Sequence, residues 1–186
     1  RTFREPLEAD VTIMKSLCSN RWESGSRMSP PRHWCCVLEP VRPIALSEIR
    51  DAQKRIAGTI VRTPLIRIDL GPGLPDVRLK LENLQPISAY KLRGAANAVA
   101  MLSDAERRRG VWTISAGNAG QGVAYAARTA GVPCTVVAIE TAPTSKLDRM
   151  RALGAKLVLV SYARAWQALE DRSYPGVVGT FIHPFV

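Results

Sequence analysis

The chain has 186 residues, 46% of them hydrophobic, and a formal net charge of +10 at pH 7. That length suits one domain, or one domain and part of a second. No apolar run approaches the roughly 18 residues that a membrane-spanning helix needs, and the positive excess is too dispersed for a nucleic-acid groove: residues 1–43 hold seven basic and five acidic groups, residues 44–186 nineteen and eleven.

Residues 1–43 carry Pro6, Pro30, Pro31, Pro40 and Pro43 and no sustained period of 2 or 3.6. This segment reads as poorly ordered, or as not native to the protein, with Met14 and Met28 as alternative starts. Residue 1 is Arg, which suggests a fragment, a processed form or a partial reading frame. Glu5, Glu8 and Asp10 interrupt any apolar stretch, so it does not read as a secretory signal. The cysteines are Cys18, Cys35, Cys36 and Cys134, and the histidines His33 and His183. His33 beside the Cys35-Cys36 pair is too few and too bunched for a zinc site, and with no disulfide framework a reducing cytoplasm is the expected compartment.

From Ile44 the pattern becomes regular. Ser47 is placed to cap a helix with Ile49, Ala52 and Ile56 on one side, ending at Gly58. Thr63-Pro64-Leu65 opens an extended segment, and Val77, Leu79 and Leu81 alternate with charged residues as in a half-buried strand. A helix is expected from Lys91 through Ala95, Val99 and Leu102, and Ser103-Asp104-Ala105-Glu106 matches a capping box. Arg107-Arg108-Arg109 ahead of Gly110 reads as a solvated helix end, where basic groups answer the helix dipole. A strict alternation follows. Val111–Ser115 is a strand, Gly120–Thr129 a helix closed by Gly131, and Cys134–Ile139 a β-branched strand. Thr141 caps the next helix, with Pro143 in its first turn and Gly154 beyond its end. Lys156–Val160 is a strand, Arg164–Arg172 a helix, and a short strand around Val177–Ile182 runs into His183-Pro184-Phe185. Alternation at this spacing implies an α/β fold, a parallel sheet with helices on both faces.

Two segments carry chemistry. Ser115-Ala116-Gly117-Asn118-Ala119-Gly120-Gln121-Gly122 sits where ligands bind in such sheets, at the carboxyl end of a strand and before a helix. Its glycine order is not the G-x-G-x-x-G of a dinucleotide site, and Asn118 could equally be a helix cap. Lys91 follows Tyr90 and the turn Pro86-Ile87-Ser88-Ala89, and stands at the start of an apolar helix. A lysine is ordinarily a solvated surface group. Partial burial beside a positive helix terminus instead favours the free amine that imine formation requires.

Glu82-Asn83-Leu84-Gln85-Pro86 through Tyr90-Lys91-Leu92-Arg93-Gly94-Ala95, then Ser115-Ala116-Gly117-Asn118, then His183-Pro184-Phe185, resemble the fold-type II pyridoxal phosphate enzymes, most closely the threonine/serine dehydratase (ammonia-lyase) branch. The likeness runs from about Ile44 to Val186. It implies that 44–83 begin a large domain and 84–186 form a small α/β domain, with the rest of the enzyme, including its phosphate-cradling loop, beyond this chain. It implies that Lys91 links covalently to pyridoxal 5'-phosphate, that Tyr90 packs beside the cofactor ring, and that Asn118 bonds its 3-hydroxyl. The backbone of Ser115, Ala116, Gly117, Asn118 and Ala119 would hold an amino-acid carboxylate. The implied reaction is deamination of L-threonine or L-serine to a 2-oxo acid and ammonia, by an enzyme that is a homo-oligomer at full length. The other readings are a non-catalytic fragment or binding module that keeps the fold, and a related β-elimination enzyme or racemase. Two departures stand out. Ser88 occupies a turn position where the family usually has Gly, which would strain the turn or push into the site. Ala116 stands where the racemase branch has a serine base.

Overall fold

A computed structural model of the protein describes residues 43–185. All but the last residue of the proline-rich segment, with its alternative starts and the His33–Cys36 cluster, lies outside the described residues.

Helix α1 spans Leu46–Ile56. Ser47 lies inside its first turn rather than at its cap: Ala45 is the extended cap residue, and its N–H donates to Glu48 Oε2 at 3.0 Å. Of the expected stripe, Ile56 is buried, Ala52 half-buried and Ile49 53% exposed, so only the C-terminal end of α1 is covered. Strands β1 (Leu65–Ile68) and β2 (Val77–Lys80) form an antiparallel pair of their own. The register places Ile66 opposite Leu79 and Ile68 opposite Val77, giving the hairpin one apolar face, while Leu65↔Lys80 and Arg67↔Arg78 share the other. Leu81 falls outside the strand, at the start of a 3₁₀ turn over Glu82–Leu84. The strand is also less buried than its alternation suggests: Leu79 and Ile66 are each 42% exposed. A two-stranded hairpin with an open apolar face favours association. The purified chain is therefore expected to sediment with concentration-dependent mass, and Ile66→Lys/Leu79→Lys to reduce that dependence. A parent chain that stays monomeric at all concentrations would contradict this.

Helix α2 (Lys91–Ala100) and the short α3 (Asp104–Arg109) follow. The capping box at Ser103 is closed on both sides, with Ser103 N–H donating to Glu106 Oε2 at 2.9 Å and Glu106 N–H to Ser103 Oγ at 3.4 Å. Then come β3 (Val111–Ile114), α4 (Asn118–Ala130), β4 (Cys134–Ile139), α5 (Thr144–Ala152), β5 (Lys156–Val160), α6 (Tyr162–Asp171) and β6 (Thr180–Phe181). Three of these helix starts differ from those expected: α4 begins at Asn118, one half-turn before Gly120. Pro143, not Thr141, caps α5, its carbonyl accepting from Lys146 and Leu147 N–H. Ser161 caps α6, which therefore begins at Tyr162. The last strand shrinks to two residues because Gly176 and Gly179 both turn at positive φ just before it.

The four-stranded sheet is wholly parallel, in the order β5-β4-β3-β6. Side chains alternate across it. Val136 and Ala138 pack with Ala124, Leu147 and Met150 under α4 and α5, whereas Trp112, Ile114 and Val137 pack with Ala165 and Ala168 of α6 on the opposite face. Helix α2 lies against α4 through Leu92, Ala95, Ala96 and Val99 facing Val123, Ala126 and Ala127, a seam of mostly small side chains that lets the two helices approach closely. The chain winds from β3 outward to β5 and then returns to the far side of β3 as β6. The strand order thus reverses at β3/β6, and the crevice at the carboxyl ends of these strands is where an open α/β sheet binds ligands.

Candidate active site

The lysine turn is pegged by alternation. Ile87, Ala89 and Leu92 are buried, whereas Ser88 and Tyr90 face solvent and Lys91 is half-buried. Ser88 has φ +57, the left-handed region that non-glycine residues enter at a cost of roughly 1–2 kcal/mol. The strain inferred from sequence is present, and Ser88→Gly is expected to stabilise the fold by about 1 kcal/mol in denaturant unfolding; an unchanged or lower midpoint would count against it.

Beneath the turn lies a polar brace with no signature in the local sequence pattern. Arg93 meets Glu82 with two parallel bonds, Nε to Oε2 at 2.8 Å and Nη2 to Oε1 at 2.7 Å. Thr63 Oγ1 donates to Glu82 Oε1 at 2.6 Å. The buried Gln85 amide pairs with Val61 as a strand would, accepting from its N–H at 3.0 Å and donating to its carbonyl at 2.8 Å. The Arg93 hydrogen bonds, helped by Thr63 and Gln85 and opposed by burial, hold the Glu82 carboxyl down at about 2. From the other side, Arg149 of α5 donates to Pro86 O at 2.9 Å. No periodicity links Glu82 to Arg93 or Pro86 to Arg149, so neither contact has a local sequence signal.

Lys91 opens α2, and its Nζ donates to the Pro184 carbonyl at 2.9 Å. Nζ also lies 5.4 Å from the Tyr90 ring centroid and 5.5 Å from that of Phe185. The tail that supplies these partners is fixed by β6 and by Thr113, whose Oγ1 donates to Ile182 O at 2.7 Å inside the core. His183 packs edge-on between Phe181 and Phe185, and its Nδ1 accepts from Phe185 N–H at 3.2 Å. Burial, with Arg172 nearby, lowers the His183 pKa and favours the neutral ring.

The Ser115 loop leaves β3 with Ser115 N–H donating to Val137 O at 3.0 Å, and Ser115 Oγ accepts from Gly117 N–H at 3.1 Å. Gly117 is the cap of α4, so Asn118 is its first helical residue and not its cap; its side chain is exposed. The first bond of the helix is Gln121 N–H to Gly117 O at 3.2 Å. The N–H groups of Asn118, Ala119 and Gly120 precede it and have no intrahelical acceptor. A cleft of about 340 Å³ joins these parts, lined by Tyr90, Lys91, Ala95, Ala119, Ile182 and Phe185 among others. Of the residues singled out in the sequence, the structure brings Tyr90, Lys91 and Ala119 into the cleft wall. Ser115, Ala116, Gly117 and Asn118 are not part of its lining. A half-buried primary amine in a cleft of ligand size, flanked by rings and sharing the cleft wall with Ala119 of the first turn of α4, fits a planar anionic aldehyde cofactor with respect to its covalent anchor.

Burial pushes the Cys134 thiol up to about 12, and no cluster of three or more potential metal ligands exists among the described residues. No helix among them is long and apolar enough to cross a membrane.

The sequence pattern of the family described as "Pyridoxal-phosphate dependent enzyme" matches residues 56–185. The chain belongs to this family, whose members use pyridoxal phosphate. It is similar to L-threonine ammonia-lyase of Thermotoga maritima, at 40% identity over 149 residues covering 76% of this chain and 36% of the relative. In structure it resembles serine racemase from Dictyostelium discoideum, with TM-score 0.65 and 34% identity, over 76% of this chain and 47% of that one. It also resembles the threonine deaminase of T.th., with TM-score 0.63 and 36% identity, over 76% and 46% respectively. The chain thus spans little more than a third of the length of the curated relative it matches.

Proposed function

We propose that this chain carries the lysine-bearing part of a pyridoxal phosphate-dependent ammonia-lyase that converts L-threonine or L-serine to a 2-oxo acid and ammonia. The observation that carries the reading is Lys91 Nζ in a cleft at the strand-order reversal, beside the open N-terminus of α4. Lys91 would bind the cofactor aldehyde through its amine once Nζ leaves Pro184 O, and Tyr90 would flank the ring. Asn118 would reach a polar ring substituent with its free side-chain amide. The loop from Ser115 to Ala119 would hold the substrate carboxylate on backbone N–H groups, as a helix N-terminus does for anions. Bound there, the cofactor supplies an electron sink for loss of the Cα proton and the β-hydroxyl. Ala116 offers no proton-handling group on the loop, which favours elimination over racemisation. The division into 44–83 and 84–186, and homo-oligomeric assembly of the whole enzyme, belong to the same proposal.

A second reading, a non-catalytic module that keeps the fold, is favoured by the engagement of Nζ with Pro184 and two rings. Titration of the purified chain with pyridoxal phosphate separates the two. A saturable visible band, trapped by borohydride on the Lys91 peptide and lost in Lys91→Ala, supports the enzyme reading; lyase assays with threonine and serine would then rank the substrates. No band, or an equal band in Lys91→Ala, supports the module.

A further inference from the structure

Helix α4 meets both halves of the candidate site through glycines that its own helical propensity disfavours. A Cβ at Gly120 would lie 3.0 Å from Ser115 O, 3.2 Å from Val136 Cγ1 and 2.7 Å from Met150 Sδ, so this glycine seats the helix under the Ser115 loop. Two residues on, and also buried, a Cβ at Gly122 would lie 3.3 Å from the carbonyl oxygen of Lys91, 3.4 Å from its carbonyl carbon and 3.5 Å from Ala95 Cβ. The closest neighbour there is backbone, and it belongs to Lys91 itself.

We infer that Gly122 is a positioning residue for Lys91: the missing side chain lets the first turn of α2 settle against α4, and this contact sets where the lysine stem begins relative to the Ser115 loop. A carbonyl cannot swing aside as a side chain can, because it is tied into the α2 backbone. An added methyl must therefore move the start of α2 by a few tenths of an ångström. The shift is carried along the lysine stem to Nζ, which is held between Pro184 O and the two rings. Ala95, four residues further along α2, would stand at an ordinary contact distance of 3.5 Å from the same methyl, so the tight contact falls on the Lys91 backbone. The consequence for cofactor capture rests on the function proposed above; the placement of Lys91 does not.

Gly122→Ala tests both. The lysines are reductively methylated with ¹³C-formaldehyde, and the Lys91 methyl resonance is assigned by its loss in Lys91→Arg. In the parent chain the rings of Tyr90 and Phe185 should displace it from the other lysines. In folded Gly122→Ala that displacement should fall at least twofold, with the exposed Lys146 and Lys156 resonances unmoved. On unmethylated protein, borohydride trapping with pyridoxal phosphate should label Lys91 at least 10-fold more slowly in Gly122→Ala, with labelling of Lys146 and Lys156 unchanged. A Lys91 resonance identical in parent and folded variant would overturn the inference, whatever the labelling shows. A parent chain whose Lys91 is not captured would overturn the proposed function, and the resonance comparison would still decide the positioning role. Should Gly122→Ala fail to fold, the double variant Gly122→Ala/Ala95→Gly removes the methyl–methyl contact while leaving the carbonyl contact in place, and the same comparison applies.

Discussion

Gly179→Ala is expected to destabilise the protein by about 3 kcal/mol, a large share of the 5–15 kcal/mol typical of a whole domain. Gly179 has φ +123, and a Cβ there would lie 2.6 Å from the carbonyl oxygen of Gly110 and 2.8 Å from its carbonyl carbon. Neither atom can yield cheaply, since the same Gly110 oxygen accepts the Thr180 N–H at 2.9 Å and so begins the pairing of β6 with β3. Gly110 is itself at φ +86 and packed against the Pro133 carbonyl, so the two glycines form one junction between three strands. Denaturant unfolding measures the loss. Hydrogen exchange adds location: the Thr180 and Ile182 amides, bonded to Gly110 O and Trp112 O, should lose protection before those of β4. Because β6 delivers Pro184 and Phe185 to Lys91, the variant should also free the Lys91 amine. A loss below about 1 kcal/mol would show that this junction relaxes more easily than its geometry implies.

Arg93→Ala is expected to cost about 2–3 kcal/mol at neutral pH, because it leaves the Glu82 carboxylate without the partner that offsets its burial. Glu82 side-chain exposure is 18% and that of Arg93 33%, so the pair is neither dry nor fully solvated. The pH dependence follows from the same bonds. The Glu82 pKa falls from 4.5 to about 2 on folding. Its contribution is therefore complete above pH 4.5 and is lost as pH drops through that window toward 2. Scaled down for the water-facing side of Arg93, the loss amounts to about 2 kcal/mol. Glu82→Gln should remove this acid-limb slope and lower neutral-pH stability. A parent-like slope between pH 4.5 and 2 in Glu82→Gln would mean that other carboxylates set the acid limb. The brace joins Val61 and Thr63, on the β1 side, to the turn that presents Lys91, so Arg93→Ala should also loosen that turn.

Local chemistry was enough to define the central strands and the C-terminal ends of several helices. Cys134–Ile139 and Lys156–Val160 are strands over the residues expected, since short β-branched runs between turn residues have little alternative in an α/β alternation. Gly131 takes the left-handed conformation that ends α4, and Ser103 with Glu106 closes a cap, because both signals act within four residues of chain. Ser47 and Thr141 failed as caps for a related reason: a cap is decided by where the helix packs, and Glu48 and Pro143 began their helices at other residues. The lysine motif could be read directly, and with it the family.

What only the tertiary structure decided is how distant residues meet. The sequence required parallel strands but not the return of β6 to the far side of β3, which puts Pro184 O on Lys91 across 93 residues of chain. It showed Glu82 and Arg93 within one motif without revealing that they clasp each other, because one lies in a 3₁₀ turn and the other in the following helix, so no single periodicity runs through both. It placed Gly122 in the helix after the Ser115 loop, as the structure does, without revealing that this glycine lies against the Lys91 carbonyl. Periodicity fixes elements because it arises from neighbours in the chain. The surroundings of the reactive amine are fixed by packing between elements, and no local pattern encodes them.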